Sequence, residues 1–479
     1  MSNMITLEQL AKSAMLGSND DLLLVSAIRA GITELGGLVP ATFEGATNGC
    51  GAESRPQMPE QAAGLLERLI AGEFDGLLPE FLQLSAERGY IVPPETLPAL
   101  LGLGKNDLRK LVIPVIGERG RWLAAHNPAW AYALGRDPLE AWENGLRAER
   151  VAALEQVRAS EPGKARAWVQ ASWEQDSPED RAAFLGTFST NLGMDDEPWL
   201  EACLDDKRKE VREAARGFLI RLEDSRFVRR MWARVRPLIQ LKSKFLGGDA
   251  LEVSLPEGLD AAAKRDGLGG SLLRKKMGEK ANLLAQMLTF IPPALWSREF
   301  NRPPEKLVGL ALRSEWKEPL LLGWQLAAVG AWDAAWAEAI APLWATQAEA
   351  RGLLELDELA DLVRLMHVEK VEALVTASIK PLIGELDDRS LLISFLQKYT
   401  RPWTTKMARV VVQSAQRQSS DFRHNLPQAL PGFALWMPPE MAGEFSQGWA
   451  VEPKGYWRAK VDEFLIVLRF RNEMRMNEK

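Results

Sequence analysis

The sequence predicts an all-α protein, built of helical hairpins in two halves joined by an irregular connector with at most a small β-hairpin. Three observations carry this. Apolar residues recur at helical spacing along most of the chain, while strand-like alternation is rare and β-branched residues are sparse beside Leu and Ala. A helix-start signal repeats: an apolar residue, then Pro-Pro, then a helical pattern, at Val92-Pro93-Pro94, Ile291-Pro292-Pro293 and Met437-Pro438-Pro439. Proline suits a first helical turn, and the residue before it is held extended. The pattern then breaks between Leu238 and Gly270, where a short alternating run (LEVSLPEGLD) and the glycine-rich KRDGLGGS replace it.

A chain of 479 residues exceeds one ordinary core, so roughly three domains or one extended solenoid is expected. The divisions fall at 1–160, an N-terminal helical region with a loop at 39–59; at 161–236; at 237–275, the connector; and at 276–479. With 46% hydrophobic and 26% charged residues the composition is that of a globular protein. A net charge of −6 sets nucleic-acid binding at a disadvantage. Cys50 and Cys203 form no CxxC pair, which fits a reducing compartment. The first residues lack the layout of a signal peptide, and no run suggests a membrane span, so the cytoplasm is the expected location.

In chain order, residues 5–37 read as a helical pair and 39–59 as a loop. Helices follow at 61–71, 77–88 and 95–101. A helix from Asp107 to Ile116 should meet a tight turn at Gly117–Gly120, with a new helix from Arg121. Further helices cover 138–159, 163–175 and 178–192. Beyond the connector, helices run from Leu283 to the end, including 356–366, 368–382, 389–399 and 404–417. Residues 419–431 read as a loop, and 453–476 as a last helix with a fraying, basic end.

The most legible unit is 176–236. Asp176-Ser177-Pro178-Glu179 is a capped helix start. Asp205-Asp206 should cap a second helix, on which Val211, Ala214, Ala215, Phe218, Leu219 and Leu222 form an apolar stripe. The string LDDKRKEVREAARGFLIRL resembles the second helix of a HEAT repeat, with an Asp in the turn, Val211-Arg212, a small residue at Ala215 and Leu219.

The three histidines, His126, His367 and His424, form no HExxH and no i, i+4 pair, which excludes multi-histidine metal sites. GxSxG and GxGxxG are absent. Gly104-Lys105 fails as a phosphate loop because Ala99 and Asn106 stand where glycine and Ser/Thr are needed. No catalytic, cofactor-binding or metal-ligating residue is therefore assigned.

Two clusters remain as partner-binding candidates. One is the corner holding Arg119, Arg121, Trp122, His126 and Asn127, which reads as a pocket for an anion or as a helix corner with satisfied polar groups. The other lies between Lys207 and Arg236, with eleven Lys and Arg against four acids, a local net of +7. Arg208, Arg212 and Arg216 share one helical face, and Arg226, Arg230 and Arg234 share the next. They read as a docking face for an acidic partner or phosphate backbone, or as a face paired with acids elsewhere. The 17 tryptophans, including Trp332 and Trp336 at i, i+4, read as helix packing, with a cation–π or base-stacking role as the alternative.

MLGS, RGRWLAAHNPAW, VREAA with DSRFVRRM, and MLTFIPPALW together resemble a bacterial family of HEAT-like helical proteins. Its members tend to be encoded beside a MoxR-type AAA+ ATPase, a von Willebrand factor A protein and a SWIM zinc-finger protein. The resemblance implies an ATP-driven, metal-dependent maturation or remodelling system, with the ATPase or the von Willebrand factor A protein as partner. The expected function is a non-enzymatic protein-binding scaffold or adaptor. The alternative is a HEAT-like nucleic-acid-binding protein using the 207–236 arginine surface.

Overall fold

A computed structural model describes residues 49–74, 76–103, 106–135, 137–244, 248–270, 272–343, 355–379, 386–418, 426–449 and 456–476. The helical pair expected at 5–37, residues 39–48 of the 39–59 loop, Gly104-Lys105 and His424 lie outside them. The chain divides into two compact units, Met1–Gly51 and Ala52–Lys479. Almost all the described residues belong to the second. That unit is mostly helical, and among the described residues its sheet has two strands. None of the described helices is long and apolar enough to cross a membrane.

Its first part holds helices Glu60–Ile70, Leu78–Glu87, Leu97–Leu101, Asn106–Val112 and Gly117–His126. Leu66, Leu82, Leu100, Val112, Val115 and Ile116 close a core among them. In all three Pro-Pro segments the leading apolar residue (Val92, Ile291, Met437) is buried, and a helical turn follows directly. The expected turn at 117–120 is smaller than the glycines suggest. Gly117 alone has positive φ (63°), and the helix starts there, because the Glu53 carboxylate takes the free amides of Glu118 and Arg119 at 2.8 and 2.9 Å.

Helices Pro138–Asn144, Arg147–Ser160, Pro162–Ser172 and Pro178–Gly186 follow. Ser177 caps the last of these by accepting from the Asp180 amide. Glu197–Ala202, Lys209–Leu219 and Arg226–Val235 complete the unit read as HEAT-like. Val211, Ala215 and Leu219 of the stripe are wholly buried, and Ala214 and Phe218 half-buried. The cap differs from expectation. Lys209–Leu219 begins after Arg208, and Asp206 instead accepts from the Arg208 amide at 2.8 Å, two residues short of the N-cap position.

The described residues of the connector form regular structure. Strands β1 (Ile239–Lys244) and β2 (Gly248–Val253) pair antiparallel, with Leu241 opposite Leu251. A one-turn helix, Ala261–Arg265, is capped by Asp260 through the Ala263 amide. It ends in a Schellman motif: the Leu268 and Gly267 amides donate to the Ala263 and Lys264 carbonyls, and Gly267 takes φ 96°. Ile239, Leu251, Ala263 and Leu268 enter the same core as the helices on either side.

Beyond it, Glu279–Thr289 packs on Lys317–Ala331, and Pro304–Leu312 on Ala334–Ile340. Trp324 and Trp336 are buried, but Trp332 is not a helix-packing residue. The helix ends there with Trp332 left-handed (φ 59°), 58% exposed and stacked on the Arg221 guanidinium. From 356 onward the helices alternate in two rows. Leu356–Leu365 packs on Leu386–Lys398, which packs on Leu426–Ala434, which packs on Tyr456–Met476. Val368–Ile379 packs on Thr405–Gln418 in the second row.

Two expectations fail here. Residues 426–431 are helical, because Leu426, Pro427, Ala429 and Leu430 are all buried in the Leu426–Ala434 helix despite its internal Pro431. The described end of the last helix is anchored. Phe470 and Met474 complete the core of the first part. Arg471 grips Glu80 (2.7 and 2.9 Å) and the Ala434 and Met437 carbonyls, and Arg475 also reaches Glu80 at 2.9 Å.

Candidate functional site

The Arg226–Val235 helix turns its arginines toward acids of its own chain. Arg226 forks onto Glu197 (both contacts 3.0 Å). Arg230 meets Asp266 and Glu201, each at 2.8 Å. Arg234 meets Asp266 at 2.7 Å. Asp266 is wholly buried. Arg265, from the one-turn helix, closes the network on Glu201 and Asp205 at 2.8 and 2.7 Å. Burial alone would push the Asp266 carboxyl up, but Arg230 and Arg234 outweigh it and hold it below the usual carboxylate range. Glu197 is likewise held low, against its own burial, by Arg226. Outside this network, Arg236 pairs with Glu299 at 2.8 Å.

The other face is arranged differently. Arg208 is exposed, and among the described residues its side chain makes no ion pair. Arg212 donates to the Asp206 carbonyl at 2.7 Å. Arg216 is 9% exposed, and its side chain makes neither a hydrogen bond nor an ion pair among the described residues. Its guanidinium lies flat against Gly267: a Cβ there would stand 2.7 Å from Cζ and Nη1. Arg216 lines a cleft of about 710 Å³ between the Lys209–Leu219 helix, the Gly267–Gly270 turn and the Glu279–Thr289 and Lys317–Ala331 helices. Five of the lining residues are glycines, and the missing side chains make the hollow. Its charged lining is five cations, Lys209, Arg212, Arg216, Lys264 and Arg265, against the single carboxylate of Glu213. Burial lowers the Arg216 pKa, partly offset by the nearby charges of Glu213 and Asp266, and Arg212 lowers it further. The guanidinium stays charged at neutral pH.

At the second candidate corner, Arg121 pairs with Glu118 at 2.6 Å. His126 Nδ1 lies 2.8 Å from the Trp122 carbonyl, with the two rings 4.4 Å apart. Asn127 caps the next helical turn through the Ala129 amide. Arg119 contributes its backbone amide to Glu53. Apart from the long-range bond to Glu53, these contacts are local, and together they complete a helix corner. Among the described residues no group of three or more possible metal ligands is found. Cys203 is buried, and that burial, helped by Asp206, pushes its thiol up to about 12.

The described fold and cleft define an all-helical protein carrying a basic hollow beside an internal arginine–carboxylate network. The chain belongs to DUF5691, a family of unknown function whose model matches residues 5–477. No curated protein and no solved structure matches it.

Proposed function

We propose that the protein is a non-enzymatic α-solenoid scaffold, HEAT-like in its 161–236 region, which binds another protein within an ATPase-linked maturation or remodelling system. The supporting observation is the two-row alternation of helices over 356–476. Such stacking buries one face of each hairpin on its neighbours and leaves successive outer faces for a partner. The proposed partner is a MoxR-type ATPase or a von Willebrand factor A protein. The docking cations are Lys207 and Arg208, both exposed and without an ion pair among the described residues. Exposed Trp332, stacked on Arg221 at 3.7 Å, is a second contact of the kind that anchors interfaces.

A tagged chain expressed in its native host should recover one of these two proteins under mild salt, and recovery of neither would defeat the proposal. Charge reversal at Lys207 and Arg208 should weaken the complex and leave the melting temperature unchanged. Reversal at Arg230 should lower the melting temperature, since its guanidinium serves Asp266 and Glu201. The nucleic-acid alternative would have to rest on Arg208, Arg212 and Arg216, because Arg226, Arg230 and Arg234 are engaged by carboxylates.

A further inference from the structure

The geometry points to a binding site for a phosphorylated small molecule in the cleft, with the phosphoryl group on Arg216 and an apolar or aromatic body against the cleft wall. This does not rest on the scaffold reading. The first ground is Arg216 itself. A guanidinium presents five donors in a fixed fork, free here to meet acceptors that enter the cleft. Here the carboxylates that satisfy Arg230 and Arg234 stop short of it: Asp266 pairs with both of those, and with Arg216 only at longer range. The Arg216 side chain is thus mostly covered, yet its guanidinium makes no hydrogen bond or ion pair among the described residues, with Glu213 and Asp266 acting on it only at longer range, in a cleft open enough to admit a ligand.

The second ground is the surrounding charge. Arg212 and Lys264 lie on the same cleft, and Lys264 is exposed with no ion pair among the described residues. This favours a dianion over a single carboxylate, because a phosphoryl group offers three acceptor oxygens to several donors. The third is the turn. Gly267 must be glycine both for its φ of 96° and for the guanidinium lying on it. The turn therefore fixes the height of the fork as well as the chain direction. The fourth is the rest of the wall, which includes Ile220, Leu268, Phe290 and Leu326. A volume near 710 Å³ suits a ligand of mononucleotide size.

The test is calorimetric titration of the full chain with AMP, phenyl phosphate, inorganic phosphate and adenosine at low salt. AMP or phenyl phosphate should bind saturably and at least tenfold more tightly than inorganic phosphate, and adenosine should not bind. R216Q should weaken that binding at least tenfold. K264E alters only an exposed residue on the rim and so keeps the fold; it should weaken binding severalfold even if R216Q fails to fold. Absence of saturable binding by both esters at millimolar concentration would overturn the assignment. So would equal affinity for inorganic phosphate, or unchanged binding by K264E together with a folded R216Q.

Discussion

At the scale of single residues, Asp266 carries the most consequence. It is wholly buried, and two guanidiniums from one helix converge on it. Removing one member of such a buried group leaves the others charged and unpaired, at a cost of about 3–5 kcal/mol. D266A should show that loss in urea denaturation at pH 7. The sign of its pH dependence follows from the depressed carboxyl. The contribution is fully present above the unfolded value of about 3.9 and is lost as pH falls through the lower folded value. Wild type and D266A should therefore converge in stability only below about pH 4. Arg265 of this network was not legible in the sequence, whereas Arg226, Arg230 and Arg234 were, from their helical spacing. Their inward direction was not, because the acids that claim them lie far along the chain: Glu197 is 29 residues from Arg226, and Asp266 is 36 from Arg230. Spacing along one helix says which side chains share a face, and says nothing about what that face meets. Arg216 was legible as a member of its helical face in the same way, but its lack of a side-chain partner was not.

At the scale of elements, the Glu80 clasp on the last helix is the clearest case. The Glu80 carboxyl is held low by Arg471 and Arg475 in spite of its burial. E80Q should leave the buried Arg471 undercompensated and loosen that helix from its neighbours. Amides of residues 468–476 should then exchange with solvent roughly tenfold faster or more, about 1.4 kcal/mol of local opening. Loss of protection elsewhere but not here would count against the clasp. Most helices were legible because their apolar spacing coincides with what the core demands, as at Val211, Ala215 and Leu219. The misreadings at 426–431 and at the end of the last helix share one cause. Pro427, Pro431 and the arginines near 471 are local breakers or solvent-seeking residues, and tertiary burial overrode those preferences.

At the scale of the whole unit, the 237–275 segment supplies Ile239, Leu251, Ala263 and Leu268 to a core that runs from Leu185 to Leu468. Asp266 ties the same segment to the Arg226–Val235 helix. A chain ended at Arg236 should therefore lose fixed tertiary packing in its last helices. Near-UV circular dichroism should fall well below the intact chain's, scaled for the aromatics retained, while far-UV helix signal persists. An intact near-UV signal would show that the preceding helices close their core unaided. The all-helical class and the small hairpin were readable from periodicity and composition. The long-range closure of the core was not, since no local pattern records it.

The pairing of Glu80 with Arg471 spans 391 residues of sequence. Phe470 and Met474 fill the core laid down by Met58 to Ala133. That early core is thus incomplete until the final helix has left the ribosome. At ordinary elongation rates the interval is about 20–80 s, far longer than a hydrophobic collapse needs. Through that interval the first helices present an apolar surface shaped for a segment that does not yet exist. Order of synthesis, as much as stability, thereby governs how safely this chain reaches its native state.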